Sequence, residues 1–506
     1  MVHVRQRSQG EGRFSAQLVS SYIVRLSPYI ALAVAVSVFL YISFHQLALP
    51  GLYYDEALDL APMLQVMHGE PTALLRGMGF ALGNYTYPIM LMDYMGSLNG
   101  YLSLPFMALL GPGVVAARAE PIFFSAVTIV LAYALARAWF GRGAAALTAL
   151  LLAVNPSFIW FSRQGISVTS VMTVFSLGSL LLLNRWLRES NRYLRIETGE
   201  PQISTLKTPI SNLYLVAAGL LLGLGLWAKL IFLWWIVALG AMALVWLITS
   251  PGQLGLKLAR IVRAALWVLP GVFIGAAPLI YYNLHDLLGQ PFDLHNAYTL
   301  GLLFKSIGQP TDYGVNNLDF WANLQKAIAD FNVFVDGSYF WYNGVPYSNI
   351  YAVPAFVIAV GVGSCLAFVR REWRKWLAVL CAVAVTVLVS AFTVSGLWAT
   401  HLFIMLPLPQ IVVAVAAVWL GSTVAQWLGG RRPHAPSPLL TGLIVVVLLV
   451  VPVWRDLWVN EQQHTTLTRT GGSGRFSDAV YKLATHLDTE HIAAPIALDW
   501  GIEKSV

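Results

Sequence analysis

The stretch Gly51-Leu52-Tyr53-Tyr54-Asp55-Glu56-Ala57-Leu58-Asp59 follows the first long apolar run and carries three carboxylates within five residues. Charge is scarce in the rest of the chain, because Asp, Glu, Lys and Arg together make up 11% of the sequence. Three acids just beyond a membrane span therefore indicate either a water-facing loop or a chemical role.

Composition identifies the chain as a membrane protein. Of its 506 residues, 58% are hydrophobic, and it contains repeated apolar runs of about 17–20 residues, long enough to cross a bilayer as helices. Continuous apolar runs indicate helices, since only helices and closed barrels satisfy the backbone in lipid. Membrane topology explains the net charge of +7, so no nucleic-acid partner is expected.

Eleven spans are predicted, and they divide the chain into three parts. Residues 1–27 form an N-terminal tail, residues 28–454 the membrane module with two long loops at 50–118 and 284–348, and residues 455–506 a polar segment that is expected to begin a larger domain. The spans are 28–49, 119–139, 144–161, 168–186, 212–228, 230–249, 264–283, 349–369, 376–396, 401–421 and 438–454.

The basic residues predict the orientation of these spans. The N-terminal tail and alternate loops carry 20 of the 31 Lys and Arg residues, but only 5 of the 24 Asp and Glu residues. Lys and Arg concentrate in cytoplasmic loops, so the N-terminus is predicted to be cytoplasmic, and both long loops and the C-terminus external. A bacterial plasma membrane is the expected location, with membrane lipids as partners.

The acidic stretch begins a predicted helix over residues 55–68, with Asp55 at the N-cap and a stop at Gly69. This amphipathic helix is expected to lie on the outer membrane surface. Asp55 is either only the cap or a general base at the membrane boundary. Neighbouring helical residues point about 100° apart, so Glu56 faces elsewhere, whereas Asp59 lies nearer the face of Asp55.

Three further polar residues stand at predicted span boundaries. Arg163 ends the third span, Lys229 separates the fifth and sixth, and His401 opens the tenth. Arg163 either snorkels to the interface or clamps an anion. Lys229 either anchors a turn or contacts phosphate, and His401 is either an interface residue or a ligand. Soluble nucleotide-binding motifs are not present, so any activated substrate is expected to come from the membrane.

Together these residues resemble the GT-C glycosyltransferases, specifically the protein O-mannosyltransferase and aminoarabinose-transferase group. The resemblance covers about residues 28–454. It implies an all-α bundle of about eleven transmembrane helices with amphipathic helices in the first external loop. The pieces that carry it are Asp55-Glu56 after span one, Pro156 with Ser162-Arg163 at the end of span three, Lys229 after a glycine-rich span, and His401 at the start of a late span.

The resemblance implies an enzyme that moves a sugar from a polyprenyl-phosphate donor to a hydroxyl of an acceptor protein, lipid or glycan. Asp55 is then the general base and Glu56 its partner. Arg163, Lys229 and His401 hold the donor phosphate. Direct displacement at the anomeric carbon would invert its configuration.

The same resemblance leaves a divalent metal open as a cofactor. GT-C enzymes often place a second acid in the loop after span three, whereas residues 163–170 here contain none. Asp59, Glu70 or Asp93 would have to supply that acid.

Other functions also fit a chain with many spans. Transporters and lipid flippases carry coupling carboxylates inside their spans, whereas the acids here are assigned to loops. A lipid-linked polysaccharide polymerase or ligase would place its key residues in loop 284–348, and a membrane scaffold would need none. Substituting Asp55 separates these alternatives, because only the first function requires it.

Overall fold

The computed structural model describes residues 29–163, 168–197, 208–289, 298–308, 316–340, 345–429 and 437–492. Helices dominate these ranges. The first ten are α1 (Tyr29–Phe44), α2 (Tyr54–His68), α3 (Leu98–Leu110), α4 (Val114–Phe140), α5 (Arg142–Val154), α6 (Pro156–Arg163), α7 (Val168–Glu197), α8 (Thr208–Ala228), α9 (Phe232–Thr249) and α10 (Leu254–Gly275).

The helices continue through the second half of the chain. They are α11 (Ala277–Gly289), α12 (Tyr298–Gly308), α13 (Phe320–Asp336), α14 (Ala352–Val369), α15 (Trp373–Val389), α16 (Leu408–Leu428), α17 (Pro438–Thr470) and α18 (Ala479–Thr489). Short 3₁₀ helices occupy Leu75–Gly77, Ala399–Met405 and Gly474–Phe476.

Four short strands lie between α2 and α3, in the segment predicted to be a long loop with amphipathic helices. Strand β1 (Gly79–Leu82) pairs antiparallel with β2 (Tyr85–Pro88), and β3 (Met90–Met92) with β4 (Met95–Gly96). The first hairpin turns at Gly83 with φ +63°. A two-residue hairpin turn with positive φ at its first position favours glycine.

The protein is an integral membrane protein, but the predicted number of spans is not confirmed. Seven helices in the described ranges are long and apolar enough to cross a bilayer, namely α4, α7, α9, α10, α14, α16 and α17. The predicted third span is instead the pair α5 and α6, bent by 59°. The bend falls at Asn155-Pro156, because proline cannot continue the helical hydrogen bonding.

Several helices begin or end away from the predicted span boundaries. In the predicted span 401–421 the α-helix begins at Leu408, because residues 399–405 form a 3₁₀ helix and Pro409 lies in the first turn of the helix that follows. The predicted span 264–283 breaks at Ala276, between α10 and α11. Helix α17 passes the predicted end at residue 454 and continues to Thr470.

Helix α2 is not the predicted surface helix. Its buried residues include Glu56 and Asp59 as well as apolar side chains. Leu60 and Met63 pack against α3 and α4. The N-cap is Tyr53, so Asp55 lies inside the first turn, where the positive end of the helix dipole stabilises a carboxylate.

Helices α8 and α10 approach closely at two pairs of glycines, Gly219 and Gly223 facing Gly271 and Gly275. A Cβ added to Gly219 would lie 2.0 Å from the carbonyl oxygen of Val268. Small residues spaced by four let transmembrane backbones pack in contact. This contact fixes the end of α8, after which Lys229 follows.

The C-terminal segment covers the entry to α2. The pattern of residues 477–487 predicts a helix, and the structure has α18 there. Tyr481 Oη of this helix donates to Ala48 O at 2.9 Å. Gly51 N donates to Phe476 O at 2.9 Å. The apolar run 494–498 also predicts a strand, but this run lies outside the described residues, as do the N-terminal tail and residues 293–295 of the second long loop.

Candidate active site

A buried ion pair fixes the start of α2. Arg118 Nε donates to Glu56 Oε1 at 2.8 Å and Nη2 donates to Oε2 at 3.0 Å. The same guanidinium donates to Leu47 O at 2.7 Å, Pro50 O at 3.0 Å and Gly51 O at 3.3 Å. One side chain of α4 thus ties together α2 and the segment that leads into it.

Glu56 is therefore turned toward Arg118 and the backbone. Its Oε2 also accepts a hydrogen bond from Tyr53 N at 3.0 Å. The resemblance assigns Glu56 as the partner of Asp55, whereas the observed contacts give it a positioning role. Arg118 was not among the predicted site residues, although its position directly before the predicted second span was an available signal.

Arg163 holds the same entry segment from a second side. It is fully buried at the end of α6. Its Nη2 donates to Gln46 O at 2.6 Å and to Leu49 O at 3.1 Å, and its guanidinium lies 4.7 Å from the ring centroid of Trp160. Two backbone carbonyl oxygens thus bind Nη2 of Arg163, the side chain that the resemblance assigns to the donor phosphate.

Lys229 lies at a junction where two distant segments pair. It forms an isolated antiparallel bridge with Met95 of β4, and Leu230 N donates to Tyr94 O at 2.9 Å. A Cβ added to Gly96 would lie 2.1 Å from Trp227 O, so this close approach requires glycine. The pairing carries Lys229, which is 6% exposed, toward α2.

Two carboxylates of α2 act on this buried ammonium. Burial lowers the pKa of Lys229, and Asp55 and Asp59 both oppose that effect. The pKa of Asp59 is raised to about 7, mainly by burial. The negative charge of Asp55 also raises it, whereas the positive charge of Lys229 lowers it. Asn99 Nδ2 of α3 donates to Asp59 Oδ2 at 2.8 Å. Asp55 and Asp59 thus both lie within electrostatic range of Lys229.

Two residues from the second half of the chain complete the site. His401 is buried, and burial, with Lys229 and Lys326, lowers its pKa to about 3. Its imidazole is therefore neutral, and Nδ1 has no hydrogen-bond partner within the described ranges. Burial raises the pKa of Tyr339, and the charge of Asp55 adds to this. Tyr339 was missed, because nothing in its local sequence distinguishes it from other loop aromatics.

The prediction that the acids lie only in loops is wrong. Glu120 of α4 is buried within electrostatic range of Asp59. Asp456 of α17 is also buried and accepts a hydrogen bond from Asn349 Nδ2 at 2.7 Å. Both helices are long and apolar enough to span a membrane.

The three acids suggested as metal ligands occupy different surroundings. Asp59 faces Lys229 and Asn99, and Glu70 is exposed just after α2. Asp93 accepts hydrogen bonds from Arg76 Nε at 2.9 Å and Nη2 at 2.7 Å. Across the described part of the chain, no group of three or more His, Cys, Asp or Glu side chains is placed to hold a metal ion. These residues do not fit a metal centre.

One stretch of the chain matches a known family in sequence. Residues 98–197, from α3 through α7, match the family model described as dolichyl-phosphate-mannose-protein mannosyltransferase. The match includes Arg118, Glu120 and Arg163 and begins after Asp55. No curated protein matches the chain in sequence.

Solved structures with a similar architecture are membrane enzymes. The apo oligosaccharyltransferase of Archaeoglobus fulgidus aligns with a TM-score of 0.50 and 14% identity, covering 95% of this chain and 62% of that chain. AglB from the same organism, in complex with an inhibitory peptide and a dolichol-phosphate, aligns with a TM-score of 0.50 and 14% identity, covering 88% and 56%. The chain therefore shares the fold of these two oligosaccharyltransferase structures.

ArnT from Cupriavidus metallidurans bound to undecaprenyl phosphate also aligns, with a TM-score of 0.48 and 14% identity, over 86% of this chain and 75% of that chain. The chain spans 62% and 56% of the two Archaeoglobus chains named above. The two Archaeoglobus structures confirm the fold that the GT-C resemblance implied. Within this fold, Asp55 is partly exposed, whereas Asp59 and Lys229 are buried.

Proposed function

We propose that the chain is a membrane glycosyltransferase that moves a sugar from a polyprenyl-phosphate donor to an acceptor hydroxyl. The observation that carries this proposal is the partly exposed Asp55 carboxylate acting on the buried Lys229 ammonium. The GT-C fold and the mannosyltransferase family match support it, as does the dolichol-phosphate bound to AglB.

The proposed reaction is a single displacement. The acceptor hydroxyl oxygen attacks the anomeric carbon while its proton passes to the Asp55 carboxylate. The bond between that carbon and the phosphate oxygen breaks, and the lipid phosphate leaves with the electron pair. Lys229 stabilises the negative charge that develops on the phosphate. Attack opposite the leaving group inverts the anomeric configuration.

The remaining site residues support these two groups. Arg118, through Glu56, fixes the first turn of α2 and hence the direction of Asp55. Arg163 is assigned the same positioning role through the carbonyl oxygens that it binds. His401, a neutral imidazole near Lys229, can bind a phosphate oxygen as a hydrogen-bond donor without adding charge.

The proposed location of the reaction follows from the distribution of charge. The N-terminus is cytoplasmic and the loop that contains α2 is external, in a bacterial plasma membrane. The acceptor is a protein, lipid or glycan that approaches from that side. Exposed loops on a rigid scaffold usually select the substrate, so the segment 284–348 is the proposed acceptor-binding region.

Sugar transfer from a panel of radiolabelled polyprenyl-phosphate sugars tests the proposal in detergent. Wild type is compared with Asp55→Asn, which removes the base with little change in shape. Loss of a general base lowers turnover by about 10²–10⁴-fold. Glu490→Gln, a substitution of an exposed acid beyond α18, is the matched control and retains wild-type turnover.

The alternatives predict different results in this assay. Equal turnover by wild type and Asp55→Asn would move the base to another residue. If no donor of the panel supports sugar transfer, the transporter or flippase interpretation gains weight. Buried acids in apolar helices are typical of transport proteins. A polymerase or ligase would tolerate Asp55→Asn and depend on loop 284–348 instead.

A further inference from the structure

Four aromatic rings form a continuous surface from the first hairpin to the end of α8. Phe80 of β1 and Tyr87 of β2 are cross-strand partners with ring centroids 5.1 Å apart. Tyr101 of α3 lies 6.3 Å from each of them. Trp227 lies 6.2 Å from Tyr101 and two residues before Lys229. We call these four residues the aromatic track.

Two of the three polar side-chain atoms of the track are bound by the protein itself. Tyr101 Oη donates to Pro88 O, and Trp227 Nε1 donates to Ile89 O at 3.0 Å. These bonds fix both rings against the chain between the hairpins. What remains available on them to a ligand is apolar ring surface.

The outer end of the track is open in the part of the chain that the structure describes. Phe80 is 46% exposed, although an aromatic residue in a paired strand next to two other rings would ordinarily be buried. The inner end is different, since Trp227 ends an apolar helix and Lys229 beyond it is buried. The track thus joins an open apolar end to a buried cation.

We propose that the aromatic track binds the isoprenoid chain of the lipid donor and guides its phosphate to Lys229. This inference rests on the proposed function. A polyprenyl phosphate has the matching order of groups, a long apolar chain that ends in an anion. Aromatic faces bind methyl and alkene carbons by dispersion, and Trp at the end of an apolar helix marks the depth at which lipid headgroups lie.

The test compares two donors that carry the same sugar on a short and a long isoprenoid chain. Phe80→Ser removes the exposed ring of the full-length protein. Loss of one aromatic contact that the bound lipid would bury raises the KM for the long-chain donor by about tenfold. The KM for the short-chain donor and the KM for the acceptor stay within about twofold of wild type. Leu82→Ser, in the same hairpin and also exposed, is the control and changes none of the three.

A second measurement does not depend on turnover. The affinity for sugar-free long-chain polyprenyl phosphate is measured for the same proteins, and it falls by a similar factor in Phe80→Ser but not in Leu82→Ser. Unchanged affinity and unchanged KM in Phe80→Ser would overturn the inference while the proposed function stands. A rise confined to the KM for the acceptor would also overturn it, assigning the track to the acceptor. If no donor supports transfer, the proposed function fails, and the affinity alone still decides the inference.

Discussion

The guanidinium of Arg118 and the carboxylate of Glu56 form an ion pair that solvent does not reach, with side-chain exposures of 0% and 1%. Removing one partner of a buried pair leaves an uncompensated charge and costs about 3–5 kcal/mol. Arg118→Ala is therefore expected to lower the free energy of unfolding by about that amount. Denaturant titration in detergent measures it.

Arg185 and Glu189 of α7 provide the control for this prediction. Their pair is 3.4 Å long and exposed, at 64% and 38%. Exposed pairs contribute about 0–1 kcal/mol, so Arg185→Ala is expected to leave the free energy of unfolding nearly unchanged. Equal losses for the two variants would show that Arg118 does not hold the start of α2.

Asp59 and His401 are expected to make stability depend on pH in opposite directions. The folded protein keeps a proton on Asp59 from its unfolded pKa of 3.8 up to about 7, so this contribution to stability is lost as pH rises through that range. The folded protein keeps the His401 imidazole neutral between pH 6.5, the pKa in the unfolded chain, and pH about 3. Its contribution to stability is therefore lost as pH falls through that range. Each pKa unit corresponds to about 1.4 kcal/mol.

Single substitutions separate the two contributions. In Asp59→Asn the His401 effect remains, and the melting temperature is expected to rise from pH 4 to 6.5. In His401→Gln the Asp59 effect remains, and the melting temperature is expected to fall from pH 4 to 7. Thermal melts in detergent across this range test both slopes. Parallel pH profiles for wild type and both variants would show that neither group titrates as described.

The sequence predicted the fold class and several of the site residues, because both are visible in local patterns. Long apolar runs indicate membrane helices without tertiary information. Asp55, Asp59 and Lys229 stood out because charged residues make up only 11% of the chain, and His401 because it opens a predicted span. The structure brings these four residues into one electrostatic group.

The contacts between distant segments could not be predicted from the sequence. Arg118 lies 62 residues from Glu56, and nothing in the local pattern joins them. The pairing of Met95 with Lys229 depends on two hairpins whose strands are two to four residues long. Strands that short give no clear alternation of apolar and polar residues. Glu120 was not predicted as a site residue, because the apolar run that follows it is typical of a lipid-facing helix.

Lys229 is expected to be required for transfer, because it is a buried cation within electrostatic range of Asp55 and Asp59. Lys229→Met keeps most of the side-chain volume and removes the charge. Loss of a group that stabilises the developing phosphate charge lowers turnover by about 10²–10³-fold. The control is Lys375→Met, which removes a partly exposed lysine at the start of α15 that pairs with Glu372. Turnover by Lys229→Met at the wild-type rate would exclude Lys229 as the phosphate ligand.

Gly96 permits the backbone pairing between Met95 and Lys229, because it has no side chain to meet the end of α8. A Cβ there would lie 2.1 Å from the carbonyl oxygen of Trp227, so either the strand or the end of α8 must shift. Gly96→Ala is expected to lower turnover by about tenfold or more, since small displacements of catalytic groups are costly. Gly240→Ala, on the exposed side of α9 with no atom within 4 Å of the added Cβ, is expected to keep wild-type turnover and stability. Wild-type turnover in Gly96→Ala would mean that Lys229 reaches the donor without this backbone pairing.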